Sequence, residues 1–126
     1  MILVPTRILP SPIHGLGLFA VQVIPKGTMV WRYQDPPDFH VHLLSDGRLP
    51  SFWLGHRKYG YREAGKDYVE FPGDASMFIN HSSRPNIVAA ADGKMFAARD
   101  ISIDEEILAD YREFESDPAE LEGLLG

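Results

Sequence analysis

Hydrophobic positions in this chain fall in short runs that glycine or proline repeatedly interrupts, a pattern of brief strands and tight turns with little helix. Ile2 to Pro10 mixes β-formers with two prolines and predicts a peripheral edge strand that lacks a full hydrogen-bond ladder. Two segments then repeat one spacing: Phe19-Ala20, Ile24, Gly27 and Val30 match Phe96-Ala97, Ile101, Asp104 and Ile107. Each reads as strand, turn, strand, with Pro25-Lys26-Gly27 and Ser102-Ile103-Asp104 at the turns, which predicts a pseudo-symmetric pair of hairpins in facing sheets. Two copies are too few for a solenoid. Val69 to Phe71 predicts a strand stopped by Pro72-Gly73, and Ile87 to Ala98 a hairpin turning at Asp92-Gly93. At the C-terminus Asp117 can cap a helix with Pro118 at its first position and Glu120 after it, placing Leu121, Leu124 and Leu125 on one face.

Residues 35–68 are the least regular stretch. They open with Pro36-Pro37, and His40-Val41-His42 would place both imidazoles on one strand face, although two histidines without further ligands do not define a metal site. Phe52, Trp53, Tyr59 and Tyr61 are expected mainly as core filling, with Tyr59 or Tyr61 able to line a pocket. Arg48, Arg57, Lys58, Arg62 and Lys66 make this insert the one basic region, expected as a surface face.

Composition narrows the class. A chain of 126 residues with 44% hydrophobic content predicts one domain, residues 1–126, with a real core. Without cysteine, packing alone must hold it, and no thiolate zinc site can form. The formal charge of −6 speaks against direct nucleic-acid binding, which needs a basic face, and favours a basic partner. Met1 to Val4 is too short an apolar run for a membrane span or signal peptide, so an intracellular, soluble protein without membrane association is expected. Glu113, Glu115, Asp117, Glu120 and Glu122 are expected as a solvated face able to attract a cationic peptide.

Candidate chemistry concentrates at Ser76 to Asn86. An apolar run, Met77-Phe78-Ile79, leads straight into Asn80, His81 and Ser82, whose donors and acceptors need partners once buried. Pro85 stiffens the backbone around it, and Asn86 can bond locally to the main chain, so the segment predicts a frozen pocket wall. Ser11 to Gly17 adds a turn whose glycines leave backbone amides open to a polar ligand. Glu105 and Glu106 look like a carboxylate pair, but adjacent strand residues point to opposite faces, which favours structural roles. A serine hydrolase built on His81 with Ser82 or Ser83 lacks the strained nucleophile turn.

Phe78-Ile79-Asn80-His81-Ser82-Ser83-Arg84-Pro85-Asn86 resembles the central signature of SET-domain protein lysine methyltransferases. His14-Gly15-Leu16-Gly17-Leu18-Phe19-Ala20 resembles that family's N-terminal glycine motif, and Asp104 to Tyr111 its C-terminal acidic block ending in a catalytic tyrosine. The three blocks occur in the family's order, and the similarity runs from about Ile8 to Phe114. The resemblance implies a mainly β SET-domain fold, β-clip-like, of several short sheets with a pseudoknot and a short C-terminal helix; the core spans about 8–114, the insert about 35–68 and the lid 112–126.

The same resemblance implies an S-adenosylmethionine-dependent protein lysine N-methyltransferase acting on histone or a basic histone-like protein. It gives Tyr111 the catalytic role and assigns cofactor binding to Gly15, Leu16, Gly17, Tyr59, Asn80, His81 and Phe114, with no metal. Glu106 would brace the loop that crosses the Asn80 segment. Two positions depart from the family: Ser83 replaces a cysteine that joins a zinc cluster in many chromatin-associated members, and Met77 replaces an arginine that contacts the cofactor's carboxylate. The chain therefore resembles minimal, stand-alone members, in which Phe114 and the terminal helix would form the lid and a homodimer would complete the substrate groove. The alternative is a SET-fold module that binds a peptide without turnover.

Overall fold

The computed structural model describes the backbone of residues 1–125 and the side chains of residues 1–122, so the expected face of Leu124 and Leu125 lies outside the described side chains. Strand β1 (Thr6–Pro10) pairs antiparallel with β2 (Leu16–Ala20), and β1 is the edge its prolines predict. Strands β3 (Met29–Trp31), β7 (Ile87–Ala89) and β8 (Met95–Ala97) form a second sheet in the order β3-β8-β7. The β7–β8 hairpin turns where Asp92-Gly93 places it, with Gly93 at φ 85°. In the insert, β4 (Phe39–His42) pairs antiparallel with β5 (Tyr68–Phe71). The last pair is parallel, β6 (Asn80–His81) beside β9 (Leu108–Ala109). Helix α1 (Pro118–Leu125) closes the chain, with the Asp117 carboxylate accepting from the Ala119 amide at 3.0 Å.

The internal repeat is real, but its strands do not form two separate hairpins. Each copy's strands pair with the other copy's: the Ala20 amide donates to the Glu105 carbonyl and the Asp104 amide to the Ala20 carbonyl, while the Ala97 amide donates to Thr28 and the Gly27 amide to Ala97. At the centre Ile24 and Ile101 exchange two bonds of 2.8 Å, and both side chains are fully buried. The reason lies in the arches at 21–27 and 98–104, which are too long for a tight hairpin, so their strands find partners in the sister segment. Gly27 and Asp104 hold the same left-handed corner, at φ 86° and 66°.

This interlock brings residues 105–109 between two earlier parts of the chain, which is the crossing expected of the pseudoknot. On one side the Ile107 amide donates to Leu18; on the other the Asn86 and Ser82 amides donate to Leu108 and Ala109. Asn86, only 1% exposed, does not bond locally as its turn position suggests. Its amide group donates to the Glu106 carbonyl at 2.7 Å and to Glu105 at 3.0 Å, and its oxygen accepts from the Leu108 amide at 2.8 Å. A buried carboxamide with four bonding sites takes the strand that can satisfy three of them. Leu18, Val30, Ile87, Ile101 and Ile107 form the core around this crossing.

The insert departs from its reading in two ways. It contains a 3-10 helix over Ser51–Tyr59, in which Trp53 packs on Phe39 and Phe71, but Phe52 is 75% exposed and Tyr59 stands at the surface. Arg57 and Glu115, expected on solvated faces, instead form an ion pair with side chains 13% and 3% exposed. Each charge is tolerated inside because the other compensates it.

Candidate active site

The acidic block and the glycine loop are joined by one carboxamide. The Asn80 side-chain nitrogen lies 3.0 Å from the His14 carbonyl, the Leu16 carbonyl and Glu106 Oε2. Glu106 also accepts from the Ser11 hydroxyl at 2.8 Å, so it holds the start of the glycine loop directly and the His14–Leu16 part through Asn80. Gly17 lies directly beneath this carboxylate; a Cβ there would sit 2.4 Å from Glu106 Oε2. Gly15, at φ 46°, has nothing within 4 Å of a built Cβ, which leaves its main chain open. Glu105 turns to the other face, as alternation requires, and meets Arg99 at 2.6 Å. That guanidinium, joined by bonds from Ser102 and Asn86, holds the Glu105 carboxyl down at about 2 despite partial burial.

Tyr111 sits at the far end of the same crossing. Its backbone amide donates to His81 Nδ1 at 3.0 Å, so that nitrogen carries a lone pair and the neutral ring's proton is on Nε2. Its hydroxyl donates to the Ile79 carbonyl, next to Asn80. Burial pushes the phenol up to about 12. Tyr111 is therefore a protonated hydroxyl near neutral pH, suited to orienting a reactant and unsuited to removing its proton. Asp110 caps the short 3-10 turn over Tyr111–Glu113, and its carboxyl is held below the usual range chiefly by the Arg112 guanidinium, with burial opposing.

A cavity of about 600 Å³ opens beside this phenol. Its aromatic wall is continuous: the Tyr111 and Phe114 ring centroids lie 5.3 Å apart, Tyr61 meets Phe114 edge-on at 4.9 Å, and Trp31 meets Tyr61 at 6.4 Å. Ile79, Met95 and Ala109 line it with apolar surface, and Tyr33, Tyr59 and Met77 complete the lining. The Tyr61 hydroxyl donates to Glu70, which also bonds His40 Nε2 at 3.0 Å. Burial first, and then the Glu70 charge, raises the Tyr61 phenol well above its ordinary range. At the mouth, Glu63, Asp92 and Glu113 stand with Lys58 and Lys94.

The structure thus divides the sequence-derived residues into two groups. Tyr59, Tyr111 and Phe114 line the cavity, whereas Gly15, Leu16, Gly17, Asn80 and His81 do not; the Ile79–His81 segment links the two groups, with Asn80 bonded to the glycine loop and Ile79 and His81 to Tyr111. Tyr61 lies deeper in the site than the half-exposed Tyr59. Sequence reasoning misses Trp31, Tyr33 and Glu70. Glu70 is a lone carboxylate between the buried Val69 and Phe71 on β5, a signal that alternation could have supplied, whereas Tyr33 lies just past the end of β3 and strand alternation does not reach it. His40 serves Glu70 and stacks on Tyr68 at 3.9 Å, and His42 faces Asp67.

The SET domain family model matches residues 15–112, and the chain belongs to that family. It is similar to the H3 lysine-4 specific histone-lysine N-methyltransferase of Chaetomium globosum, 30% identical over 118 residues, covering 86% of this chain and 11% of that protein. The Schizosaccharomyces pombe protein of the same description is 34% identical over 115 residues, covering 82% and 12%. The chain therefore spans only about a tenth of these curated relatives. Among solved structures, a candidate histone methyltransferase of Plasmodium falciparum superposes with a TM-score of 0.56 at 25% identity, covering 87% of this chain and 95% of that one. A chain of an active polycomb repressive complex 2 in the basal state gives 0.64 at 24% identity, covering 86% and 15%, and shares the fold. Among the described residues, no helix is long and apolar enough to cross a membrane.

Proposed function

We propose that this chain is a protein lysine N-methyltransferase that uses S-adenosylmethionine and acts on a basic protein, histone or histone-like. The observation that carries the reading is the Tyr111 hydroxyl, fixed at the Ile79 carbonyl on the wall of an aromatic cavity, in a family whose similar members are described as histone-lysine methyltransferases. A lysine amine must be neutral to attack; with an ordinary pKa of about 10.4, making it so at pH 7 costs roughly 4 to 5 kcal/mol. A cavity walled by Trp31, Tyr61, Tyr111 and Phe114 lowers that cost by desolvating the ammonium. The protonated Tyr111 phenol would orient the neutral amine, its oxygen being free to accept a bond while its proton is held at the Ile79 carbonyl. The net charge of −6 favours a cationic peptide.

The residues fit the cofactor. An amino-acid-and-nucleoside ligand needs open main chain and a few fixed polar groups, and Gly15 offers the first while Asn80, pinned by three acceptors, offers the second. Gly15, Leu16, Gly17, Asn80 and His81 would hold it, and Tyr59 and Phe114, which line the cavity, are further candidates. Once bound it would supply an electrophilic methyl group on a sulfonium.

Purified protein is expected to transfer labelled methyl groups to lysine in histone, and Tyr111→Phe to lower kcat by about a hundredfold or more with little change in KM, since orientation is lost and binding surface kept. Equal labelling by both proteins would remove Tyr111 from the mechanism. Met77, apolar on the cavity wall, favours as second reading a peptide-binding module without turnover. Calorimetry that detects no S-adenosylmethionine binding at millimolar cofactor would select it.

A further inference from the structure

We infer that Arg57 and Glu115 form a clamp that holds Tyr61 against Phe114 in the cavity's aromatic wall, and so act as positioning residues for the activity proposed above, on which this inference rests. Arg57 lies near the end of the 3-10 helix, just before Tyr61; Glu115 directly follows Phe114. Arg57 Nη1 meets Glu115 Oε1 at 2.9 Å and donates to the Gly60 carbonyl at 3.1 Å. The other oxygen of Glu115 accepts from the Arg62 amide at 3.2 Å and the Asp117 amide at 3.0 Å. Ser116 adds two bonds to the Arg62 carbonyl, from its amide at 2.8 Å and its hydroxyl at 2.6 Å. The residues on both sides of Tyr61 are therefore tied to the residues just after Phe114, and the two rings meet edge-on with centroids 4.9 Å apart.

Two features separate this pair from simple stabilisation. A buried ion pair is commonly no more stabilising than an apolar pair of similar volume, so it is better understood as fixing a register. It is also incompletely satisfied: Arg57 Nη2 is buried with no hydrogen-bond partner among the described residues, and Asp117 Oδ2 lies 3.8 Å away. Both contacts leave Nη1, whose two hydrogens are fixed in the guanidinium plane and so hold Gly60 and Glu115 in set directions, whereas a lysine ammonium is a freely rotating point charge on a shorter stem.

The test uses Arg57→Lys, Glu115→Gln and the double variant Arg57→Met with Glu115→Met in the whole chain. It reads amide hydrogen exchange and steady-state kinetics with a lysine-bearing basic peptide. In Arg57→Lys the amides of Glu115 and Ser116 are expected to exchange at least about tenfold faster while those of Ile24 and Ile101 stay unchanged, the mark of local opening. KM for the peptide rises roughly tenfold with kcat within about threefold, because the Tyr61–Phe114 contact, not Tyr111, has loosened. Glu115→Gln behaves alike. The double variant keeps the urea midpoint of the native protein yet retains the fast exchange and raised KM. Exchange that accelerates equally at Ile24 and Ile101, or a double variant with native exchange and KM, would reduce the pair to stabilisation and overturn the inference. Absence of methyl transfer by the unmodified protein would defeat the functional reading instead, and the exchange measurement would still decide the clamp.

Discussion

Tyr111 shows how a single environment sets both chemistry and stability. Its phenol gains no charged partner; burial alone lifts it to about 12 from an ordinary 10. The folded chain therefore holds that proton more tightly than the unfolded chain. The associated stability is whole below about pH 10 and is lost as pH rises through about 12. Urea unfolding across this alkaline window should show a shallower loss of stability in Tyr111→Phe than in the native protein. Gly17 is constrained by contact and not by φ. A Cβ would press on Glu106 Oε2, and that carboxylate cannot withdraw without abandoning Ser11 and Asn80. Gly17→Ala is expected to destabilise by about 1 to 3 kcal/mol, measured as a lowered urea midpoint.

Among the elements, the exchanged pairing of the two repeat copies carries the fold. Gly27 and Asp104 occupy equivalent left-handed corners, yet only one of them is glycine. The strain is thus already present at Asp104 and absent at Gly27. Gly27→Ala should cost about 1 kcal/mol, whereas Asp104→Gly should stay within about 0.5 kcal/mol of the native protein, strain relief offsetting the greater freedom of the unfolded chain. Equal costs in thermal or urea unfolding would show that the corners are not equivalent. The repeat spacing was legible because both copies bury the same positions, Ile24 with Ile101 and Val30 with Ile107. Which strand each copy pairs with was not, because β-formers satisfy their hydrogen bonds equally well in a hairpin and in an exchanged ladder.

For the molecule as a whole, net charge and cavity act together. The net charge of −6 favours cationic peptides at long range, an attraction that salt screens, while around the cavity Glu63, Asp92 and Glu113 are largely balanced by Arg32, Lys58 and Lys94. For a basic peptide kcat/KM should fall roughly tenfold between low and half-molar salt, while kcat changes little. A salt-independent kcat/KM would assign recognition to the aromatic walls alone.

By itself the sequence determined the class of fold and the principal motifs. Glycine loop, Asn80 segment and acidic block each need particular residue types for local reasons: close backbone approach, a carboxamide able to donate twice, a strand that alternates its carboxylates. The tertiary structure decided what those residues face. Asn86 turned from a local turn bond to a strand distant in sequence, Arg57 and Glu115 left the surface for each other, and Trp31, Tyr33 and Glu70 joined a cavity that no contiguous segment encodes. Burial and long-range pairing belong to the packed chain, because a side chain's partner across the core is set by how strands cross and leaves no trace in its own neighbours.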